Sequence, residues 1–270
     1  MSPVRLLTAL EGSESLLDCF GLGEGVSVVA LVGAGGKTSL LYALARDIVR
    51  SGRTVVTTTT TKIAPPRPYQ SPKLLLVQDD PELRTLPDRL QEHRQVTVAA
   101  SLIAETGKLQ GLDDRLITQL SHLADCVLIE ADGAAGRPIK APAQWEPVIP
   151  PFSSLVIPIV GLDSIGKPAT EEWAFRLSEL CAVTGLIRGE IIIPQAIAKL
   201  LCHPHGSLKN VPAQIPVIPL LNKEDLLQNR GAVQAIVRAV TDLAPDRIRA
   251  LVVGAVGKGQ EQDAVACPRG

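Results

Sequence analysis

The chain has 270 residues, with 27 Lys and Arg against 28 Asp and Glu and a formal net charge of −1. So balanced a charge lacks the basic footprint of a nucleic-acid binder, and 3 Phe, 2 Trp and 2 Tyr are too few for single-strand stacking platforms. An apolar share of 46% with 20% charged residues excludes disorder, and no uncharged apolar run is long enough to cross a membrane.

The N-terminus mixes Arg5, Glu11, Glu14 and Asp18 with its apolar residues and has no secretory core. Five scattered cysteines (Cys19, Cys126, Cys181, Cys202, Cys267) form no CxxC pair. A cytoplasmic protein with reduced thiols is expected.

In chain order, residues 4–20 read as an amphipathic helix ending near Gly21. Residues 26–32 are a Val-rich run that suits a strand buried on both faces. Leu41, Leu44 and Ile48 at helical spacing place a helix over 37–51, stopped by Gly52. Residues 53–58 return to strand, and such a unit implies a right-handed parallel crossover. Further strands are predicted at 73–77, 95–100, 125–130, 155–160, 215–221 and 249–254. Helices are predicted at 80–92, 113–122, 171–184, 190–201 and 229–242. The alternation predicts an α/β fold, a doubly wound and mostly parallel sheet of P-loop NTPase type with helices on both faces. One domain is expected over 1–257, with the 1–21 helix appended and a flexible tail over 258–270. The Pro-rich stretches 64–72 and 138–151 read as ordered loops beside a site.

Gly33-Ala34-Gly35-Gly36-Lys37-Thr38, followed by Ser39, lies between the first buried strand and the first long helix. Glycines let successive amides turn toward phosphate oxygens, and the helix start adds its positive end. Lys37 supplies a cation for the terminal phosphates, and the Thr38 hydroxyl is placed to ligate Mg²⁺. The full pattern wants a glycine where Leu31 stands, so the loop is a shortened form, matching the spacing of Mur-type ligases.

The run 126–130 ends in Glu130, with Asp132 two residues on, side chains that alternate onto one face. Such carboxylates hold Mg²⁺ or polarise an attacking water. Arg137 and Lys140 beside them are candidate contacts for phosphate or an anionic substrate, as are the Thr59 and Thr60 hydroxyls at the second strand's end. Asn222-Lys223-Glu224-Asp225 follows an apolar strand as N-K-x-D. In that pattern the Asp accepts from the guanine ring N–H and amine, the Lys stem lies along the base and the Asn braces the loop, which favours GTP over ATP.

Three other signals are weaker. Cys202-His203-Pro204-His205 offers metal-ligand types but no fourth partner nearby. Trp145 and Trp173 read as packing anchors. No G-x-S-x-G elbow supports serine catalysis.

Taken together, the 33–38 loop, the Thr57–Thr61 tract with Lys62, residues 129–142, Glu146-Pro147-Val148-Ile149-Pro150, residues 160–168 and residues 221–225 resemble the YqeC family over about residues 15–255. The resemblance implies a nucleotide-dependent accessory factor in maturation of a selenium-dependent molybdenum hydroxylase cofactor, acting on a client enzyme or maturation protein. Nucleotide-dependent dimers are common among maturation GTPases, so a homodimer is one form to expect. The chain departs from the family pattern at Trp145, where a His is expected before Glu146, and at Glu172-Trp173-Ala174, near an expected His-Arg pair. Three readings remain open: a Mg²⁺-dependent NTPase using GTP or ATP, an ATP-dependent kinase or Mur-like ligase, and a nucleotide switch without turnover.

Overall fold

The computed structural model describes residues 4–9, 15–23, 27–77, 80–229, 231–244 and 246–257. Among the described residues nine strands build one sheet: β1 (Arg5–Ala9), β2 (Ser27–Gly33), β3 (Val55–Thr59), β5 (Leu74–Leu76), β6 (Gln95–Ala99), β9 (Cys126–Glu130), β11 (Leu155–Gly161), β13 (Leu220–Asn222) and β14 (Ala250–Gly254). Their spatial order is β1-β14-β13-β11-β2-β9-β3-β6-β5, and every pair is parallel. A small antiparallel sheet joins β4 (Lys62–Ile63), β8 (Lys108–Gln110) and β7 (Ser101–Ile103), and β10 (Ile139–Lys140) pairs with β12 (Ala174–Phe175). The helices are α1 (Leu16–Phe20), α2 (Lys37–Arg50), α3 (Asp80–Leu83), α4 (Leu86–His93), α5 (Asp114–Ser121), α6 (Leu177–Thr184), α7 (Pro194–Cys202) and α8 (Gly231–Leu243).

The continuous apolar character of the strands follows from burial on both faces. In β2, Val29 and Leu31 pack with Leu40, Leu41, Leu44 and Ile48 of α2. Val28, Ala30 and Val32 join the opposite layer, with Ile117 and Leu120 of α5, Ile197 of α7 and Ile236 of α8. Each large aliphatic side chain taken fully from water contributes roughly 2 kcal/mol of transfer free energy. The expected doubly wound α/β sheet is therefore present. Strands β9, β3, β6 and β5 lie to one side of β2, and β11, β13 and β14 to the other. The loop leaving β2 thus opens where the strand order reverses, the position at which such sheets form their ligand crevice.

Several elements differ from expectation. Arg5–Ala9 is a strand paired with β14 rather than the start of a helix. Five residues serve either period, and the open edge of β14 decides. Among the described residues of 4–20, Leu16–Phe20 is the helical part, capped by Ser15 and stopped by left-handed Gly21 at φ 63°. The 215–221 segment is strand only from Leu220, because Pro216 and Pro219 bring no N–H to a ladder. Val217 there makes isolated bridges to Val156 and Ile248. The helix expected from 171 begins at Leu177, and the one expected from 190 begins at Pro194, a residue suited to a first turn. The expected tail over 258–270 lies outside the described residues. Among the described residues no helix is long and apolar enough to cross a membrane.

Candidate functional site

Three glycines give the loop after β2 its shape. Gly33, Gly35 and Gly36 take φ of 91°, 90° and 130°, values that favour glycine. A Cβ on Gly35 would lie 2.2 Å from the Gly161 nitrogen, and one on Gly36 2.3 Å from Asn222 Nδ2. Gly33 N–H donates to Asp132 Oδ2 (3.0 Å), Ala34 N–H to the Ile159 carbonyl (2.9 Å) and Gly35 N–H to the Arg137 carbonyl (3.1 Å). Gly36 caps α2 without a side chain, so the first amides of that helix face the loop's mouth without intrahelical acceptors.

Charged groups stack beneath this loop. Lys37 is 3% exposed; its Nζ donates to the Gly33 carbonyl (2.6 Å) and lies 3.1 Å from Asp132 Oδ1 and 3.9 Å from Glu130 Oε1. Thr38 Oγ1 donates to Glu130 Oε2 at 2.8 Å. Burial drives the Glu130 carboxyl above the ordinary carboxylate range, with Lys37 and Thr38 pulling it back. Asp132 Oδ1, although 3.1 Å from the ammonium, has no hydrogen bond of good geometry, while Oδ2 also lies 3.0 Å from Lys140 Nζ.

Lys140 continues the stack outward. Its Nζ donates to the Gly133 carbonyl (2.6 Å) and to Glu146 Oε2 (2.8 Å), and Arg176 grips both Glu146 oxygens at 3.0 and 3.1 Å. Burial pushes the Glu146 carboxyl up, but the Arg176 and Lys140 hydrogen bonds together outweigh it and hold it at about 2, against an ordinary 4.5. A folded value below the unfolded one contributes stability above pH 4.5 that is lost as pH falls toward 2. Denaturant titration at pH 7 and pH 3 should therefore show a smaller loss on acidification in Glu146→Gln than in the wild type. Equal losses would contradict this.

The base-reading candidates divide. Asn222 is 1% exposed; its Nδ2 donates to the Gly35 carbonyl (2.9 Å) and its Oδ1 accepts from Val256 N–H (2.8 Å). It thereby ties the phosphate loop to the turn that follows β14. Lys223 is left-handed at φ 64°, and its Nζ meets Asp163 Oδ2 at 2.7 Å. Asp225 is exposed on the following turn, and Ser39 lies in the first turn of α2.

Other candidates are engaged elsewhere. Thr59 Oγ1 donates to the Glu130 carbonyl (2.7 Å) and Thr60 Oγ1 to the Val148 carbonyl (2.8 Å), so these hydroxyls brace strand ends. Arg137 Nε donates to the Glu171 carbonyl at 2.7 Å. His203 Nδ1 accepts from the His205 amide (3.0 Å), and among the described residues no three His, Cys, Asp or Glu groups converge on a metal position. Trp145 is not a packing anchor: it is 69% exposed, its ring 5.1 Å from the Arg176 guanidinium. Sequence reasoning quoted Glu146 only as part of a motif and did not single out Arg176 or Asp163. Their roles come from partners 30 and 60 residues away, which no local pattern records.

A family profile described as YqeC protein matches residues 29–178. A YqeC protein of Escherichia coli (strain K12) is 35% identical over 210 residues, 75% of this chain and 78% of the relative. Among solved structures, the apo form of the GTPase PAB0955 from Pyrococcus abyssi gives a TM-score of 0.36 at 13% identity, covering 90% of this chain and 96% of that one.

Proposed function

The chain belongs to the YqeC family, and from that premise we propose that it binds a nucleoside triphosphate, with GTP preferred, on the loop from Gly33 to Ser39. The observation that carries the reading is the Asn222 side chain, which joins the N-K-x-D segment to the Gly35 carbonyl and so sets the phosphate-binding and base-reading candidates side by side. Lys37 and the amides from Gly36 to Ser39 hold the phosphates. Asn222 and Lys223 shape the base pocket, and Asp225 accepts from the guanine edge.

The donor set fits Mg²⁺. Thr38 Oγ1, Glu130 and Asp132 are hard oxygens gathered beside the loop, and Asp132 Oδ1 is buried without a hydrogen-bond partner. Those three residues would hold the ion, which neutralises phosphate charge when bound. Lys37, Glu130 and Asp132 are the proposed catalytic groups of an NTPase. The ligase or kinase reading is less supported. Its candidate acceptor cations, Arg137 and Lys140, are already engaged by the Glu171 carbonyl and by Asp132 and Glu146.

At the level of biological role, we propose that one domain over 1–257 works in the cytoplasm on a client protein during maturation of a selenium or molybdenum hydroxylase cofactor. The expected homodimer belongs to the same proposal.

A nucleotide panel tests the base reading. Asp225→Asn should weaken GTP binding by about 100-fold, the cost of mismatching one or two hydrogen bonds to guanine, and leave ATP affinity nearly unchanged. Calorimetry with Mg²⁺ measures both. Equal loss for GTP and ATP would remove the guanine assignment.

A further inference from the structure

The charged groups under the phosphate loop do not end at it. They alternate in sign from the interior to the surface. Lys37 meets Asp132 at 3.1 Å, Asp132 meets Lys140 at 3.0 Å, Lys140 meets Glu146 at 2.8 Å, and Glu146 meets Arg176 at 3.0 Å. The side chains of the first four are at most 7% exposed and that of Arg176 is 21% exposed. The Arg176 guanidinium lies over two rings, 4.8 Å from Phe175 and 5.1 Å from the exposed Trp145. We propose that Glu146 is a positioning residue through which the state of the phosphate loop is passed to Arg176 and to the surface at Trp145. This rests on the triphosphate reading above.

The physical argument has two parts. First, the ion pairs are largely buried, and those of Glu146 with Lys140 and Arg176 are also hydrogen-bonded, so each feels its neighbours at low effective dielectric. A triphosphate draws the Lys37 ammonium away from Asp132, and the Mg²⁺ that Asp132 would help to hold competes with Lys140 for that carboxylate. Lys140 is then left with Glu146 as its carboxylate, that contact tightens, and Glu146 holds Arg176 less firmly.

Second, Arg176 sits at φ 58° and ψ 60°, a left-handed conformation uncommon for a residue other than glycine. Its paired grip on Glu146 and the contacts with two rings favour that conformation. Arg176 also occupies the N-cap position of α6, without a side-chain cap hydrogen bond, so a change in its backbone alters the start of that helix. A strained position whose equilibrium is biased from the phosphate loop at one end and exposed at Trp145 at the other is what coupling requires. Phe175, paired with Lys140 in the β10–β12 ladder, keeps the two ends in register.

The chain carries 2 Trp, so Trp173→Phe leaves Trp145 as the sole tryptophan reporter. In that protein, saturation with Mg²⁺ and whichever of GTP or ATP binds is expected to shift the Trp145 emission. Adding Glu146→Gln, whose amide cannot pair with two cations, is expected to abolish the shift while nucleotide affinity by calorimetry stays within about tenfold. Glu146→Asp is expected to restore part of the shift, which a purely structural role would not produce. If Glu146→Gln does not fold, Arg176→Lys carries the test, since it keeps the charge and loses the paired grip. Nucleotide binding without an emission shift, or an undiminished shift in Glu146→Gln, overturns the relay and leaves the nucleotide reading standing. Absence of binding heat for both nucleotides removes the two together.

Discussion

Lys37→Ala is expected to lower affinity for GTP and ATP alike by at least about 100-fold, because the lost cation faces phosphates rather than the base. The geometry makes the effect larger than the loss of one contact. Lys37 Nζ neutralises Asp132 at 3.1 Å and lies 3.9 Å from Glu130, with all three side chains at most 10% exposed. Without it, two carboxylates face the incoming phosphates across a short, poorly solvated gap, and their repulsion adds to the missing attraction. The fold also weakens. Removing one partner of a buried ion pair costs about 3–5 kcal/mol when the other stays charged. Here the cost falls toward the lower end of that range, since Lys140 still attends Asp132. Calorimetry and denaturant unfolding on the same protein separate the two effects. Retention of triphosphate affinity within tenfold would remove Lys37 from the proposed site.

Gly35→Ala is expected to be the most destabilising single-methyl change in the loop, at about 4 kcal/mol. The added Cβ would stand 2.2 Å from the Gly161 nitrogen, 2.6 Å from its Cα and 2.7 Å from the Pro138 carbonyl oxygen. These are backbone atoms of two different segments, both tied down: Gly161 N–H donates to that same Pro138 carbonyl at 2.8 Å. Neither segment can retreat without breaking the bond between them. Gly52→Ala is the control. Gly52 has a similar φ of 85°, and nothing lies within 4 Å of where its methyl would stand, so it carries only the left-handed backbone cost of about 1 kcal/mol. Chemical denaturation of the two variants isolates the packing term. Equal destabilisation would show that the junction of Gly35, Gly161 and Pro138 yields easily.

Part of this site was legible along the chain. The Val-rich run, the three glycines and the periodic Leu41, Leu44 and Ile48 are local features, and β2, the loop and α2 appear where they were expected. Glu130 and Asp132 at a strand end converge on Lys37, since parallel strands deliver their C-terminal residues to one edge. Other features depend on the fold. The Thr59 and Thr60 hydroxyls donate to neighbouring strand and loop carbonyls, contacts that no local pattern records. Trp145 reads as core by residue type, but it lies on the surface against Arg176.

The amino-acid sequence by itself determined the doubly wound α/β class, the strand–loop–helix unit around Gly33–Thr38 and the polar residues at strand ends. All of these rest on periodicity and on backbone freedom within a few residues. The tertiary structure alone decided the order of nine strands, the pairing of β1 with β14 and the line of charges from Lys37 to Arg176. Those depend on which distant segments share an edge or a buried pocket, and an ion pair such as Glu146 with Arg176 acquires its strength only once packing has removed both groups from water.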